Sequence, residues 1–197
     1  MSISISTIRT RVFSRLAADL SSPTYSQIHN NNITTWANEL TAIVSRKLAE
    51  MGVSGELQGL ITIGSSIALN ASGIGTLPSD YETHTNGKVL VSGNRKSLFR
   101  LYDDPAKFAK WDSSNFVVTP TTRKPVALIA NGQIRVKPTT ITTAYLDYVI
   151  QHPTLASNNT KYGKMGDAML VGVIAGRCFD FLEEPDLANN ARKEVGL

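Results

Sequence analysis

Cysteine is almost absent from this sequence, and its scarcity limits the sites that the chain can build. Cys178 is the single cysteine in 197 residues, which excludes an internal disulfide and a zinc site made of cysteines. Because Cys178 lies within an apolar helical pattern with nothing nearby to lower its pKa, we expect a buried small side chain rather than a nucleophile. One unpaired thiol suits assembly in a reducing compartment.

Long uncharged apolar runs are also missing. The longest weakly polar run, AMLVGVIAG at 168–176, is far shorter than the roughly 18 residues that a membrane span requires. The start of the chain places Arg9, Arg11 and Arg15 inside an apolar pattern, where a signal peptide has an uncharged run. We therefore expect no targeting segment, no membrane contact and synthesis in a cytosol.

Charged residues are few, at 18% of the chain against about 25% in ordinary globular proteins. The net charge is +4, which suits proximity to nucleic acid, but no helix combines a basic face with side chains that read base edges. Scattered solvated charges are the default explanation. If copies of the chain assembled into a ring, the same charges would repeat around it. They would then line a DNA channel or pair between subunits. The candidate residues are Arg95, Lys96, Arg100, Arg123, Lys124, Arg135 and Lys137.

Helical periodicity marks the first part of the chain, residues 1–52. Apolar residues recur at three- and four-residue steps in two runs, the first with Ser4 or Ser6 as its N-cap and the second closed by Gly52. Pro23 disfavours helical geometry in the residue before it and separates the two runs. The pattern predicts a helical hairpin.

The last part of the chain, 154–197, predicts a linker, a helix and a frayed helical tail. The helix is apolar almost all round, and Gly172 and Gly176 lie four residues apart, so another helix can approach closely. We expect this helix to pack on the N-terminal pair. The polar segments 155–163 and 186–197 have little apolar content, and we expect them to order only on assembly.

Strand patterns occupy the middle of the chain, residues 53–153. The strongest signal is PVALIANGQIRVKP, which predicts strands 126–130 and 133–137 joined by Asn131-Gly132 in a two-residue turn. Glycine-rich segments with short apolar runs surround it. The fold class predicted from these parts is α+β, a small helical bundle with an inserted β-rich block.

A short helix interrupts the β pattern. SLFRLYDD predicts a strand that leads into a helix with Asp104 as its N-cap and Pro105 at its first position. This helix would turn Phe108 and Trp111 inward. TTAYLDYVIQHP predicts a further strand that Pro153 ends.

The stretch LPSDYETHTNGKVL holds three chemically capable side chains at alternating positions, Asp80, Glu82 and His84. On one face of a strand they would form a conceivable metal or acid–base group. No second acidic or histidine cluster supplies further ligands. We therefore favour a structural junction, in which Asp80 caps the turn after Pro78, and Tyr81 packs where the helical hairpin meets the β-rich block.

The remaining motifs offer no chemistry. The sequence contains neither GxxxxGK[ST] nor GxSxG, and we expect His29 and His152, in separate polar breaks, to lie at the surface. We therefore predict no catalytic residue, no metal site, no cofactor and no enzymatic activity.

The order of these elements resembles a known family. The matching stretches are LPSDY at 77–81, ANGQIRVKP at 130–138 and TTAYLDYVIQHP at 142–153. Set between a helical hairpin and a closing helix, they resemble tailed-phage neck proteins. These are the head-to-tail connector (adaptor) rings that dock beneath the portal, including ring proteins of crAss-like podoviruses.

The resemblance implies a structural virion protein rather than an enzyme. Its implied partners are further copies of itself in a closed ring, twelve-fold in the family, together with the portal protein, other neck or tail proteins and the DNA that passes nearby. The implied location is the virion neck, assembled in the host cytoplasm. The other function that the sequence leaves open is a small ligand- or carbohydrate-binding β module of a phage or bacterium.

Overall fold

Five helices and seven strands form the part of the chain that the computed structural model describes, residues 3–20, 28–57, 59–91, 97–102, 104–112, 119–155 and 159–196. The helices are α1 Ile5–Asp19, α2 Asn30–Glu50, α3 Pro105–Ala109, α4 Lys164–Phe181 and α5 Pro185–Glu194. The strands are β1 Ile61–Ala68, β2 Ile74–Thr76, β3 Tyr81–Val91, β4 Ser97–Tyr102, β5 Val126–Ala130, β6 Gln133–Lys137 and β7 Thr143–Ile150.

The fold is mixed α+β, which confirms the predicted class. The chain divides into a helical unit, Met1–Leu60 with Gln151–Leu197, and a β unit, Ile61–Ile150. The helices at the two ends of the chain thus belong together, and the strands are inserted between them.

The N-terminal helices follow their apolar periodicity. The Ser4 hydroxyl caps α1 by accepting a hydrogen bond of 3.2 Å from the Thr7 amide, which satisfies one of the amides that a helix start leaves free. Ile8, Val12 and Leu16 are its buried stripe. In α2 the buried stripe again recurs at three- and four-residue steps, through Ile33, Ala37, Thr41, Val44, Ser45, Leu48 and Ala49.

Helix α4 is the centre of the helical unit. It packs against α1, α2 and α5, and its side chains are buried almost all the way round, with Leu170, Ile174 and Phe179 fully covered. A helix that is apolar on every side is stable in water only when neighbours surround it. Here the chain itself provides these neighbours.

The predicted frayed helical tail is a packed helix, α5, so the prediction that this segment orders only on assembly is wrong for its described residues, 186–196. Ala188 and Ala191 of α5 are fully buried, and these small side chains let α5 approach α4 closely. A Cβ atom placed at Gly172 would lie 2.4 Å from the Val195 side chain. The close approach that Gly172 and Gly176 predicted is therefore made by α5.

The predicted polar linker also carries buried groups. Thr160 is fully buried, and its hydroxyl accepts a hydrogen bond of 2.9 Å from the Ile3 amide. The Tyr162 hydroxyl donates to the Thr41 carbonyl oxygen at 2.7 Å and lies 2.9 Å from the Ser45 hydroxyl. Both polar residues are thus fixed inside the helical unit without a partner chain.

The β unit contains two sheets that share β4, in the strand order β1-β7-β3-β4-β5-β6-β2. Pairing is antiparallel except between β4 and β5, which are parallel. Strand β3 runs from Tyr81 to Val91, with register shifts against β7 after Tyr81 and after His84. Asn86 and Gly87 therefore lie in an irregular stretch of one strand.

The Asn131-Gly132 hairpin is confirmed. Strands β5 and β6 occupy 126–130 and 133–137, and the turn residues have φ of 53° and 70°. These are the positive values that a tight two-residue turn requires.

Opposite faces of this hairpin bury different residues. Ile134 and Val136 point into a core that also holds Ala127, Leu146 and Tyr148. Val126 and Leu128 point to the other face, where Phe108 of α3 covers them with Tyr102, Trp111 and Ala130 around it. Phe108 and Trp111 thus pack inward, as predicted, with Asp104 as the N-cap of α3.

Candidate functional site

The predicted junction residues Pro78, Asp80 and Tyr81 lie together at the start of β3. The Tyr81 amide donates to the Pro78 carbonyl oxygen at 3.0 Å, which closes a turn. Asp80 accepts a hydrogen bond of 3.0 Å from the Tyr148 hydroxyl, and the rings of Tyr81 and Tyr148 are 5.7 Å apart. Burial, followed by the bond to Asp80, raises the pKa of Tyr148.

This cluster is not where the two units meet along the chain, so its predicted role as the junction needs correction. The chain passes between the units after Leu60 and after Ile150, whereas 77–81 connects two strands of the β unit. Tyr81 does pair with Ile150 across β3 and β7. The cluster therefore fixes the end of the β unit, not the points where the chain passes from one unit to the other.

Two of the alternating residues of this stretch bond to different tyrosines. Asp80 bonds Tyr148, while the His84 Nδ1 atom lies 3.0 Å from the Tyr81 hydroxyl. No group of three or more His, Cys, Asp or Glu side chains that could hold a metal ion occurs in the described ranges.

The predicted basic residues are more informative, because the strand register brings several of them together. Arg100 on β4 is opposite Val126 on β5, and Val126 is opposite Lys137 on β6. Side chains opposite one another in a sheet lie on the same face. Arg100 and Lys137 therefore flank the Phe108 cluster, one from each side, in one row across three strands.

Both cations lie against aromatic rings. The Arg100 guanidinium is 5.2 Å from the centre of the Tyr102 ring, and the Lys137 ammonium is 5.4 Å from that of Phe108. Such contacts hold a cation near a ring without neutralising its charge. Burial lowers the pKa of Lys137. We call this surface, formed by Arg100, Tyr102, Phe108, Trp111 and Lys137, the basic-aromatic face.

A tight turn places two more cations beside it. Thr121 and Lys124 exchange backbone hydrogen bonds, the Lys124 amide donating to the Thr121 carbonyl oxygen at 3.0 Å and to its hydroxyl at 3.2 Å. The turn leaves Arg123 and Lys124 exposed. Neither makes an ion pair with any described residue.

A groove of 290 Å³ joins these elements. Arg100, Arg123 and Lys124 line it together with Trp111, and no acidic residue is among its described lining residues. A second groove of 450 Å³ is lined in part by Phe108, Arg135 and Lys137. Exposed cations beside aromatic rings are the arrangement that binds phosphate backbones and stacks bases or other flat groups.

Five of the seven predicted basic residues thus fall on or beside one face: Arg100, Arg123, Lys124, Arg135 and Lys137. Arg95 and Lys96 lie outside the described residues. The sequence interpretation missed Tyr102 as a ring partner. An alternation signal was available, since Arg100 and Tyr102 are two residues apart on a predicted strand and therefore share a face.

Comparison with known proteins gives no further identification. No helix among the described residues is long and apolar enough to cross a membrane. No protein-family model matches the sequence, and the comparison with curated proteins finds no match.

Proposed function

We propose that this chain is a structural subunit of a tailed-phage neck. It forms a homo-oligomeric ring that joins the portal to tail components and surrounds the DNA channel, and it has no catalytic role. The proposal is supported by the resemblance of LPSDY, ANGQIRVKP and TTAYLDYVIQHP to neck proteins, in an α+β chain with its β unit inserted between helices.

The basic-aromatic face is the observation that supports this function most. A cyclic assembly repeats that face around its axis, so a few cations per subunit produce a strong positive field. The grooves beside it have cationic side chains and no described acidic ones. That favours an anionic partner such as DNA over the neutral carbohydrate of the alternative function.

The location in the neck is tested by imaging native particles. Purified virions of the phage that encodes this chain are examined by mass spectrometry and by cryo-electron microscopy with symmetry-free reconstruction of the neck. We expect copies of the chain in a closed ring between portal and tail. Absence from purified virions, or a lone copy that touches no symmetric neighbour, would contradict the proposal.

The DNA-facing role has a separate test. Arg123→Glu with Lys124→Glu is compared with a matched reversal of two exposed cations of the helical unit, Lys164→Glu with Lys193→Glu. Affinity for duplex DNA is measured against salt concentration. Each phosphate contact contributes about 0.9 to the slope of log K against log salt. We therefore expect the magnitude of this slope to fall by about two in the first variant and by less in the second. An equal decrease of the slope in the two variants would refute a specific DNA-binding face.

A further inference from the structure

One apolar side chain of the β unit protrudes into solvent. Ile63 on β1 is 79% exposed, the largest value among the exposed large hydrophobic residues described. It lies on a strand at one end of the sheet order, next to Gly64, whose φ of 67° belongs to the left-handed region that glycine enters without strain. The register against β7 shifts at this position. The irregularity directs Ile63 away from its own sheet.

An acidic side chain is held next to Ile63. Asp147 of β7 accepts a hydrogen bond of 2.7 Å from the Gly64 amide. This bond fixes the carboxylate beside the protruding side chain. The edge of the β unit thus presents an apolar knob with a negative charge next to it.

The helical unit contains a concave surface, a groove with an apolar part. It measures 470 Å³ between α2, α4 and α5, and Leu40, Ile43 and Val173 form its apolar part. Ile43 is 40% exposed there, and its neighbour Leu40 is half-buried. Close by, the half-exposed Phe181 ring packs on Trp36 with 5.7 Å between ring centres.

Charged residues surround this groove on α2, α4 and α5. Asp180 and Arg192 pair with each other, while Arg177 is exposed and has no ion pair with any described residue. Glu39 lies on the α2 side. An apolar ligand with a negative charge on the α4 side would complement both the groove and Arg177.

We propose that the groove binds a second copy of this chain, with Ile63 of one copy inserted between Leu40, Ile43 and Val173 of the next, and Asp147 facing Arg177. The inference deepens the proposed function, since it names the two surfaces by which a ring would close. Knob and groove are different patches of one chain, so the contact is head-to-tail, and each copy keeps one free knob and one free groove for further neighbours.

Disulfide trapping tests this contact directly. A chain with Ile63→Cys is mixed with a chain with Ile43→Cys at about 1 mM, so that contacts with Kd up to the millimolar range are sampled. A disulfide forms only where Cα atoms come within about 4.4–6.8 Å. The native Cys178 is fully buried and does not compete. The control pair is Met51→Cys with Met165→Cys, whose parent residues are 49% and 43% exposed.

We expect the Ile63→Cys and Ile43→Cys chains to give mixed dimers at about tenfold the yield of the control pair. Each variant alone should give no homodimer above that control level. Arg177→Glu in the Ile43→Cys chain should lower the mixed yield, and Arg177→Lys should preserve it. A mixed yield equal to the control, or homodimers of Ile63→Cys in excess, would overturn the inference.

Failure of this inference is distinguishable from failure of the proposed function. If the mixed disulfide forms but virions lack the chain, the contact stands and the neck role is wrong. If virions contain the ring but its copies do not link through these two positions, the neck role stands and the contact is wrong.

Discussion

At the scale of single residues, the rings of Tyr81 and Tyr148 hold the end of the β unit together. We expect Tyr81→Ala to lower the free energy of unfolding by about 2 kcal/mol, because a half-buried ring and its hydrogen bond to His84 are lost. Tyr81→Phe should cost about 1 kcal/mol, since only the hydroxyl is removed. Urea denaturation measures both, with Tyr145→Ala on β7 as the control. An equal loss in the control would remove any special role for Tyr81.

His152 gives the helical unit a pH-dependent contact. The Lys161 amide donates to its Nε2 atom at 2.9 Å, and its Nδ1 atom lies 2.7 Å from the Pro153 carbonyl oxygen. Only the neutral ring with a proton on Nδ1 satisfies both bonds. Burial is the main cause that lowers the pKa of His152 below its ordinary value of 6.5.

The lowered pKa determines the direction of the pH effect. The unfolded chain binds the His152 proton more readily, so this contribution to stability is fully present above pH 6.5 and is lost as the pH falls through the folded pKa. We expect the free energy of unfolding to decrease between pH 7.5 and 5.5 by more in the native chain than in His152→Gln. His29→Gln, at an exposed position, should keep the native dependence. The same pH dependence in all three proteins would exclude His152 as its cause.

Single-residue roles were the least predictable part of this chain. A polar break before Pro153 suggested a surface histidine, but His152 stacks on Tyr162 with 5.0 Å between ring centres. Asp80 was expected to cap a turn, but its carboxylate bonds Tyr148, which lies on the neighbouring strand β7 and is far away along the sequence. Both contacts join residues that no local periodicity relates, so sequence patterns could not reveal them.

At the scale of elements, the β5–β6 hairpin depends on its turn backbone. A Cβ atom placed at Gly132 meets nothing within 4 Å, and the same is true at Gly55, where φ is not positive. Both sites have open space for a side chain, and of the two only Gly132 has a left-handed backbone. We expect Gly132→Val to lower the free energy of unfolding by about 2 kcal/mol more than Gly55→Val, since a left-handed conformation costs other residues about 1–3 kcal/mol. Similar urea midpoints for the two variants would contradict this explanation.

The contact between α4 and α5 has its own paired test. A methyl group at Gly172 would lie 2.4 Å from Val195, whereas at Gly176 its nearest neighbour is 3.4 Å away in a flexible arginine side chain. Alanine favours a helix over glycine by about 1 kcal/mol. We expect Gly176→Ala to raise the thermal midpoint and Gly172→Ala to lower it, because its clash displaces the end of α5. Equal midpoints would mean that α5 is loosely attached.

Elements were predictable where their periodicity was strong. The Asn131-Gly132 turn predicted the bounds of β5 and β6, and the apolar periodicity at the start of the chain predicted α1 and α2. Helix α5 was expected as a frayed helical tail, and its packing on α4 was missed because its buried residues, Ala188 and Ala191, are small and produce a weak hydrophobic signal. Periodicity also could not predict which residues of the basic-aromatic face are neighbours, since this depends on the parallel pairing of β4 with β5.

At the scale of the whole molecule, helix α5 determines which surfaces are left for assembly. A helix such as α4, apolar on all sides, needs neighbours that cover it, and α1, α2 and α5 provide them within the chain. The features left for assembly are local ones, the Ile63 knob and the groove beside Ile43. Sequence composition could not distinguish these two exposed residues from the many isoleucines that are buried.

The inserted β unit leads to a last prediction. Its first and last strands are paired, with Ile61 opposite Val149, so its two ends lie about 5 Å apart across an antiparallel ladder. A linker of about four glycine and serine residues, at up to ~3.5 Å each, can therefore replace 61–150 without strain. We expect the shortened chain to remain helical and to melt cooperatively by circular dichroism at 222 nm, because α4 keeps its packing on α1, α2 and α5. The same linker replacing 71–150 leaves β1 without β7, and this control should aggregate through its open strand edge. A shortened chain that melts without a cooperative transition would show that the helical unit needs the β unit to fold.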